Sequence, residues 1–511
     1  MIKRDGQTVS VWQANATAYI SNSAASTNIL YDVIIVGGGI TGISSGLLLQ
    51  RSGKKCLIIE SANLCFGTTG GTTAHLNTLL DTPYSVIEQK FGKENAQLVA
   101  SAASAALQLI KTNITDLGIE CGFKDARAFL FAQDEKQAEE LTKIKAASAN
   151  AGLDVQYCDQ IPVPSSFLKA VKVEGQARFN PVQYVYALAE AYEALGGVIL
   201  QHCRVTGVEN NAVVSVETEK GEYKAVDLIY ASHIPPGVNL LHLRCIPYRS
   251  YAMALTLTDN NYPPDLCYDM IDPYHYYRTQ EIDGQNYLIA GGKDHKTAHE
   301  DNEEASFLAL EGHLRRMFHV SEINYKWSSQ YFEPADGLPY IGHLPGNPEH
   351  IYVATGYGGN GMTYSTAAAI TLCALICNEK TAYEKLFDPN RLKPVAGFTN
   401  FIKHNADVVK QFFGKFFSGE KLEALAELSR AEAKLVIFEN QKIGLYKNEE
   451  GKIFGVNPSC THLGCEVKWN SAEKSWDCPC HGARYHYTGK VLNGPADRDL
   501  EPVSVEFIIE S

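Results

Sequence analysis

The chain has 511 residues, of which 45% are hydrophobic and 20% charged, an ordinary composition for a folded, water-soluble protein. At about 150 residues per domain, this length predicts about three to four domains. The formal net charge of −13 argues against a nucleic-acid-binding surface. Since no run of about eighteen apolar residues occurs, no membrane-spanning helix is expected.

The N-terminal stretch 1–30 contains neither an apolar core nor a small-residue cleavage site, and it is poor in arginine. It therefore predicts neither a signal peptide nor a transit peptide. Ser21, Ser23 and Ser26 lie in a polar run of small residues, which predicts a mobile N-terminal arm. The 13 cysteines do not form a disulfide framework in a chain of this length, so a reducing cytoplasm is the expected location.

A nucleotide-binding motif begins directly after this arm. Residues 31–36 are rich in β-branched side chains and predict a strand buried on both faces. A G-x-G-x-x-G sequence and a helical pattern follow, and a second predicted strand ends at Glu60. In a dinucleotide-binding unit, such glycines let the backbone approach a pyrophosphate, and the acid binds the ribose hydroxyls and disfavours NADP. The alternative is a glycine-rich turn without a ligand. The three glycines are Gly37, Gly39 and Gly42.

The next loop, 61–77, is small and rich in hydroxyl groups. Together with the preceding motif it resembles the FAD-dependent D-amino-acid-oxidase-like family, which includes glycine oxidase and sarcosine oxidase. The resemblance implies FAD as the cofactor, with Thr72 and Thr73 near its phosphates or its flavin edge. A later order of helix, glycine and strand resembles the same family and implies that Val205 meets the adenine. The alternative for the loop is a polar surface turn.

Two further stretches extend the resemblance over about 31–378. A Trp followed by Asp-Gly-Leu-Pro and Ile-Gly lies at 327–342, and a strand, a glycine-rich turn and a helix follow at 351–362. The turn would direct backbone N–H groups and a helix N-terminus at the flavin, where a positive dipole stabilises the reduced, anionic form. The resemblance assigns flavin contacts to Gly359, Asn360, Gly361 and Met362.

The predicted fold is an α/β FAD-binding Rossmann-like domain at 31–386 with an inserted mixed-sheet substrate domain at about 83–175 and 246–331. In the family that this region resembles, the mixed sheet forms the floor of the substrate pocket. The candidates for substrate contact are Tyr276, Arg278, Lys293 and His295.

Two of these candidates have specific predicted roles. Arg278 could clamp a substrate carboxylate with two hydrogen bonds, and His295 could act as a base. The alternatives are a surface ion pair between Arg278 and Glu281 and a loop cap formed by His295.

A connector at 387–430 is predicted to be helical. Its phenylalanines and aliphatic residues between 398 and 417 fall on one helical stripe, with lysines off that stripe. Packing between domains is the favoured interpretation. Contact with a membrane surface is the alternative, because an aromatic, basic amphipathic helix can lie on a membrane.

Two clusters of cysteine and histidine occur near the C-terminus. Cys460 and His462 belong to a C-x-H-x-G-C sequence, and Cys478 and His481 belong to C-P-C-H-G. Two thiolates can hold one iron of a [2Fe-2S] cluster while two imidazoles hold the other, which raises the potential of the cluster. The alternative is a structural zinc site, although a zinc site needs neither the two extra cysteines nor the glycine after each cluster.

This region closely resembles an all-β Rieske domain over about 431–511. The resemblance implies that Cys460 and Cys478 bind one iron, that His462 and His481 bind the other, and that a disulfide joins Cys465 to Cys480. Those two cysteines are typical of the high-potential subclass found in cytochrome complexes. Tyr485 matches a tyrosine that hydrogen-bonds a ligand sulfur in that subclass. Ala483 replaces a serine donor, which predicts a lowered potential.

The leading hypothesis is an FAD-dependent dehydrogenase that oxidises a small amine, amino acid or hydroxy acid. Electrons would pass from the flavin to the cluster and then to an external acceptor, either a carrier protein or a quinone. Apart from the glycine-rich turn at 356–361, which the resemblance assigns to the flavin, no second G-x-G-x-x-G occurs, which favours an organic electron donor over a nicotinamide. The alternatives are an NAD(P)H-driven reductase that feeds a partner oxygenase or quinone, and a redox sensor or electron-transfer module without turnover.

Overall fold

The computed structural model describes residues 4–347, 349–391, 420–421, 428–438 and 441–504. Its helices are α1 Val11–Ala14, α2 Ile40–Arg51, α3 Thr68–Gly71, α4 Tyr84–Phe91, α5 Lys93–Leu117, α6 Glu135–Asn150, α7 Pro181–Ala194, α8 Glu303–Met317, α9 Gly361–Ile376 and α10 Glu384–Phe387, with a 3₁₀ helix at Leu240–Leu243.

The strands fall into a long first group and a short C-terminal group. The first group is β1 Leu30–Val36, β2 Cys56–Ile59, β3 His75–Leu76, β4 Lys124–Ala132, β5 Val155–Cys158, β6 Lys169–Arg178, β7 Val198–Leu200, β8 Val205–Asn210, β9 Val214–Thr218, β10 Gly221–Tyr230, β11 Cys245–Leu257, β12 Leu266–Asp269, β13 Tyr276–Ile282, β14 Gln285–Lys296, β15 Val320–Pro334, β16 Tyr340–His343 and β17 Ile351–Thr355. The C-terminal group is β18 Glu420–Lys421, β19 Ala433–Phe438, β20 Gln441–Lys447, β21 Ile453–Val456, β22 Lys468–Asn470, β23 Ser475–Asp477, β24 Arg484–His486, β25 Val491–Asn493 and β26 Pro502–Val503.

The first sheet is the nucleotide-binding part of the fold and has the order β16-β17-β10-β1-β2-β7. Its central strand β1 runs parallel to β2 and β10. The Val and Ile residues of β1 and β2 are almost all buried, as expected for parallel strands covered on both faces. Helices α2, α7 and α9 contribute to the core beside this sheet. The carboxyl ends of β1 and β2 thus meet at one edge, next to the start of α2.

The second sheet is mixed and has the order β15-β11-β14-β13-β12-β4-β6-β3. Its strands come from 75–178 and from 245–334, on either side of β7 to β10, which belong to the first sheet. The predicted α/β fold with a mixed-sheet insertion is confirmed. Because β3 directly follows the loop at 61–74, the second sheet is anchored beside the nucleotide-binding edge.

The C-terminal part, which we call the cluster unit (420–421, 428–438 and 441–504), is built from β-sheets, as predicted. Strands β18, β19, β20, β21 and β26 form one sheet, and β22 to β25 form the other. The fully buried Trp476 packs between them, and a Cβ on Gly444 would lie 3.0 Å from its ring. The loops that carry the predicted cluster ligands leave β21 and β23, so both sheets hold them in place.

The N-terminal segment differs from the predicted mobile arm. From Arg4 onward it packs against the rest of the chain, and Trp12 is fully buried and donates to the carbonyl of Thr72 at 2.6 Å. Ser21 donates to Glu193 at 2.6 Å. The prediction failed because the partners of these side chains lie far away in sequence.

The connector helix proposed at 398–417, with its stripe and its membrane alternative, lies outside the described residues. In the part of the chain that the structure does describe, no helix combines the length and the apolar character that crossing a bilayer requires.

Candidate active site and cluster site

The glycine-rich loop between β1 and α2 forms one wall of a long cavity. Gly37 has a φ of +119°, which favours glycine. A Cβ on Gly42 would lie 1.9 Å from the carbonyl oxygen of Gly37, so only glycine lets α2 start this close to the loop. Gly42 itself does not line the cavity, whereas Gly37 and Gly39 do. Glu60, at the end of β2, accepts a hydrogen bond from the amide of Gly38 at 2.7 Å.

The remaining residues predicted to bind the cofactor line the same cavity. They are Thr72, Thr73, Val205, Gly359, Asn360, Gly361 and Met362. Asn360 precedes the first turn of α9 and makes no side-chain cap bond, so the first amides of that helix have no such partner. These amides and the helix dipole favour negative charge at this end of the cavity.

The shape of the cavity fits a bound FAD. Gly67 and Gly361 both line it, and a Cβ added to either would meet no atom within 4 Å. Both glycines therefore border open space rather than packed protein. The cavity extends from Glu60, where a ribose would bind, to the N-terminus of α9, where the flavin would bind.

The second sheet closes the flavin end of the cavity with tyrosines and carboxylates. The lining side chains there are Asp81, Ser250, Tyr268, Tyr274, Tyr276, Asp294 and Tyr331. Tyr276 is one of the predicted substrate contacts, and its hydroxyl lies 2.9 Å from the Ser250 hydroxyl. We call this group of seven residues the tyrosine–aspartate end.

Each of the two carboxylates at the tyrosine–aspartate end is held by two donors. Asp294 accepts from Ser250 at 2.5 Å and from the Tyr331 hydroxyl at 2.9 Å. Asp81 accepts from the amide of Gly359 at 2.7 Å and from the Tyr274 hydroxyl at 3.1 Å. Burial raises the pKa of Asp294 to about 7, and loss of water also raises the pKa of Asp81.

Arg278 does not lie where a substrate clamp requires it. It is fully buried outside the cavity lining, and its guanidinium donates to the carbonyls of Thr73, Ala74 and Phe179 and to Gln280. The ring of Trp12 lies 5.3 Å from the guanidinium carbon. The geometry supports neither the predicted clamp nor the alternative pair with Glu281. Arg278 instead holds the loop that ends at β3.

His295 and Lys293 do not line the cavity either. The Nε2 atom of His295 lies 2.8 Å from the Tyr251 hydroxyl and its Nδ1 lies 2.9 Å from the carbonyl of Lys296. Successive side chains on a strand point to opposite faces, so the cavity receives Asp294 and not its neighbours. Asp294 thus lines the cavity, whereas the two candidates on either side of it do not.

Sequence reasoning missed Asp81 and Asp294 and gave His75 no trusted role. His75 lines the cavity, and its Nδ1 lies 2.7 Å from the Tyr268 hydroxyl. Burial lowers its pKa well below the ordinary value, and Arg278 lowers it further, so the imidazole is neutral. Alternation along β14 was the signal that could have identified Asp294.

The second site lies in the loops of the cluster unit. Cys460, Cys478 and His481 are buried, and the rings of His462 and His481 lie 4.9 Å apart. A disulfide joins Cys465 to Cys480, as the resemblance implied. The Tyr485 hydroxyl lies 3.1 Å from the Cys460 sulfur.

The chemistry of these four predicted ligands fits a [2Fe-2S] cluster. The buried Nδ1 atom of His462 has no hydrogen-bond partner among the described residues, which is costly unless that nitrogen binds a metal. The Cys460 and Cys478 side chains contact each other, and the rings of His462 and His481 contact each other, which matches a cluster with thiolates on one iron and imidazoles on the other.

The cluster unit also forms part of the cavity wall. Residues 492–494, 496 and 497 line it, next to residues 231–234 and 236 of the nucleotide-binding part. The Nε2 atom of His462 lies 3.1 Å from the carbonyl oxygen of Gly237, and the amide of Gly237 donates to the carbonyl of Pro495 at 3.1 Å. A single loop thus borders the cavity and contacts a predicted iron ligand.

His242 lies behind this contact. Its ring packs edge-on against His462, with centroids 4.7 Å apart, and lies 6.2 Å from the ring of His481. Its Nε2 lies 2.9 Å from the carbonyl of Pro235, and its Nδ1 accepts from the amide of Asn239 at 3.2 Å. Both contacts fix the loop that holds His462.

Comparisons with known proteins identify the families of the two regions that contain these sites. Residues 32–375 match the family described as FAD dependent oxidoreductase, and residues 421–504 match the Rieske [2Fe-2S] domain. The chain is 31% identical over 480 residues to the Rieske 2Fe-2S iron-sulfur protein YhfW of Bacillus subtilis, covering 93% of this chain and 94% of that one.

Two more distant similarities concern the oxidoreductase region. The chain is 24% identical over 397 residues to gamma-glutamylputrescine oxidoreductase of Escherichia coli, covering 74% of this chain and 91% of that one. Glycine oxidase from Geobacillus kaustophilus superimposes with a TM-score of 0.61 at 18% identity, covering 71% of this chain and 99% of that one. The chain therefore belongs to the FAD dependent oxidoreductase family and carries a C-terminal Rieske [2Fe-2S] domain.

Proposed function

We propose that the protein is a dehydrogenase that oxidises a small amine, amino acid or hydroxy acid and delivers the electrons to its own Rieske cluster and then to an external acceptor. The observation that carries this proposal is the shared wall of the cavity. Residues 492–497 of the cluster unit border the space that fits FAD, and His462 contacts the loop that borders it from the other side.

The two cofactors divide the chemistry. Bound FAD accepts two electrons from an organic substrate and can release them singly, whereas a Rieske cluster carries one electron at a time. The residues of the chain position the flavin and the substrate. Helix α9 directs its N-terminal amides at the flavin end, and the tyrosine–aspartate end, which lies at the same end of the cavity, would hold the substrate.

Docking of the two units favours internal electron transfer over release of flavin electrons to solvent. His462 lies against Gly237 and His242 rather than on an open surface. Buried ion pairs also cross the interface, including Arg249 of β11 with Asp477 of β23 at 3.5 Å. A rigid contact of this kind removes the encounter step that separate carriers need.

The sequence and two similar proteins support a small organic compound as the electron donor. G-x-G-x-x-G matches occur at 37–42 and in the turn at 356–361, and FAD accounts for both, since both border the same cavity. The relative from Escherichia coli acts, by its name, on gamma-glutamylputrescine, and a fold neighbour is a glycine oxidase. Both names favour a small nitrogen compound as the reductant.

An anaerobic screen of the holoprotein tests the proposal. Amines, amino acids and hydroxy acids are mixed with the protein, and flavin bleaching and the electron paramagnetic resonance signal of the reduced cluster are followed together. The proposal predicts that a substrate bleaches the flavin and then generates the cluster signal. The proposal would be contradicted if NADH bleached the flavin quickly while no amine, amino acid or hydroxy acid did. It would also be contradicted if the reduced flavin never reduced the cluster.

A further inference from the structure

The tyrosine–aspartate end holds two carboxyl groups without a cationic side chain beside them. Asp81 and Asp294 both line it. Among the described lining residues, the one Lys or Arg side chain is Arg204, which lies beside Val205 at the adenine end and donates to the carbonyl of Val491 at 2.9 Å. The predicted cations Arg278 and Lys293 lie outside the lining.

The lining histidines do not supply the missing charge. Burial lowers the pKa of His233 to about 4 and the pKa of His75 well below its ordinary value. Both rings are therefore neutral near pH 7. The donors that reach Asp81 and Asp294 are an amide and hydroxyl groups, which orient these carboxylates without neutralising them.

We infer that the cavity selects a substrate that binds as an ammonium cation and carries no carboxylate beside the carbon that is oxidised. This inference rests on the proposed dehydrogenase function and names its substrate class. An ammonium group between Asp81 and Asp294 would neutralise charge in a site of restricted solvent access. The faces and hydroxyls of Tyr268, Tyr274 and Tyr276 suit an alkylammonium group, since aromatic faces attract cations.

The same arrangement disfavours an α-amino acid. Its carboxylate would enter a site that already holds two carboxylates, and no cation lies within the described lining to pair with it. Desolvating an unpaired carboxylate is costly. The side chain of Arg278 does not turn toward the cavity, because backbone carbonyls and Gln280 already accept from its Nη1 and Nη2 atoms.

The oxidation of such a substrate can be written so that its protons and electrons balance. One ammonium proton passes to the carboxylate of Asp294, whose pKa of about 7 suits a general base at neutral pH. The carbon–hydrogen bond beside the nitrogen would break, with bound FAD as the hydride acceptor, and an iminium would form. Water would then convert the iminium to a carbonyl compound and an ammonium ion. The bound cofactors would pass the two electrons singly to two equivalents of a one-electron acceptor, and the proton on Asp294 and the proton of the reduced flavin would be released to solvent.

Matched pairs of compounds test this selection in the holoprotein. Butylamine is compared with norvaline, and benzylamine with phenylglycine, by anaerobic flavin bleaching. The inference predicts bleaching by the amines and none by the amino acids at equal concentration. Bleaching by norvaline or phenylglycine at rates equal to or above those of the amines would overturn it.

Two substitutions and a control test whether Asp81 and Asp294 cause the preference for amines. Asp294→Asn and Asp81→Asn should each raise the amine concentration for half-maximal bleaching by roughly tenfold or more. Asp283→Asn, at the exposed turn of the same β13–β14 hairpin, should leave it unchanged. Unchanged amine dependence in both cavity variants, with their flavin spectra intact, would contradict the assignment.

A binding measurement separates this inference from the proposed function. Tetramethylammonium ion cannot be oxidised at this site, and acetate serves as the matched anion. The inference predicts that tetramethylammonium perturbs the flavin spectrum at lower concentration than acetate does. Binding of the cation with no amine oxidation would refute the proposed dehydrogenase and leave the cation site standing, whereas preferential acetate binding would refute the cation site itself.

Discussion

The imidazole Nε2 of His462 lies 3.1 Å from the carbonyl oxygen of Gly237. This contact joins a predicted iron ligand to a loop whose neighbouring residues border the cavity for FAD. The hydrogen bond orients the imidazole, and such outer contacts tune a metal site. In the proposed dehydrogenase, the protein would thus present its cluster to its own flavin, as a partner protein would in a two-component system.

His242 is predicted to be a positioning residue for electron transfer. In His242→Ala the support for His462 and for the loop at 235–239 is lost. Cluster reduction after flavin bleaching should then slow by roughly tenfold or more, since 1.4 kcal/mol is a factor of ten in rate. Stopped-flow mixing with the substrate, observed at flavin and cluster wavelengths, measures both steps.

The rate of flavin bleaching itself should not change in this variant, because His242 does not line the cavity. His319→Ala, at an exposed histidine, serves as the control. Equal slowing of both steps would point to general damage and would argue against a positioning role.

The potential of the cluster should respond to single hydrogen bonds. The buried Ala483 offers only a methyl group beside the cluster loops, whereas Tyr485 reaches the sulfur of Cys460. A hydrogen bond to a charged group contributes about 1.5–3 kcal/mol, equal to roughly 65–130 mV for one electron. Ala483→Ser should therefore raise the midpoint potential by up to that amount, and Tyr485→Phe should lower it.

Redox titration followed by electron paramagnetic resonance measures these shifts. Tyr487→Phe, in the same unit and two residues further along the chain, provides a control that should leave the potential nearly unchanged. Shifts of the opposite sign in Ala483→Ser and Tyr485→Phe would show that other terms set the potential.

The N-terminal segment should stabilise the docked arrangement. Asp5 is buried and pairs with Arg484 of the cluster unit at 3.2 Å. Burial alone would raise the pKa of Asp5, but the guanidiniums of Arg484 and Arg4 lower it overall. Breaking one side of a buried pair typically costs about 3–5 kcal/mol, so Asp5→Asn should lower the free energy of unfolding by roughly that amount.

Thermal and denaturant unfolding of the holoprotein measures the loss. The matched control is Glu281→Gln, which removes an exposed pair with Lys124 and should cost only about 0–1 kcal/mol. The pKa of Asp5 is lowered in the folded state. The contribution of Asp5 to the free energy of unfolding is therefore present above the unfolded-state pKa and disappears as the pH falls through the folded-state pKa. An equal effect of both substitutions would contradict this role.

The pH dependence of flavin bleaching should report on Asp294. Burial raises its pKa to about 7, so below that pH the group is protonated and loses its attraction for an ammonium ion. Bleaching by amines should therefore increase as the pH rises through about 7, and Asp294→Asn should remove this inflection. The other titratable groups around it are Asp81, Tyr274, Tyr276, Tyr331 and Glu333. An unchanged inflection in Asp294→Asn would assign it to one of these groups.

Local motifs explain what could be predicted from the sequence. The glycines at 37–42 and the predicted ligands Cys460 and His481 belong to motifs that are defined by spacing along a short stretch, so they could be proposed without knowledge of the fold. The surroundings of Arg278 and His295 could not be predicted in this way. They depend on which face of the strand each side chain occupies and, for Arg278, on contact with Trp12, which is more than 200 residues away in sequence. The burial of Asp5 could not be predicted from the sequence either, since its partner Arg484 lies near the other end of the chain.

The most direct test of the central claim is the concentration dependence of cluster reduction. The holoprotein is reduced anaerobically by an amine substrate in a stopped-flow instrument, and the delay between flavin bleaching and cluster reduction is measured at several protein concentrations. If the docked Rieske domain receives electrons from the flavin of its own chain, this step is first order with a rate constant independent of protein concentration. A rate constant that rises in proportion to protein concentration, or a cluster that stays oxidised, would contradict the account.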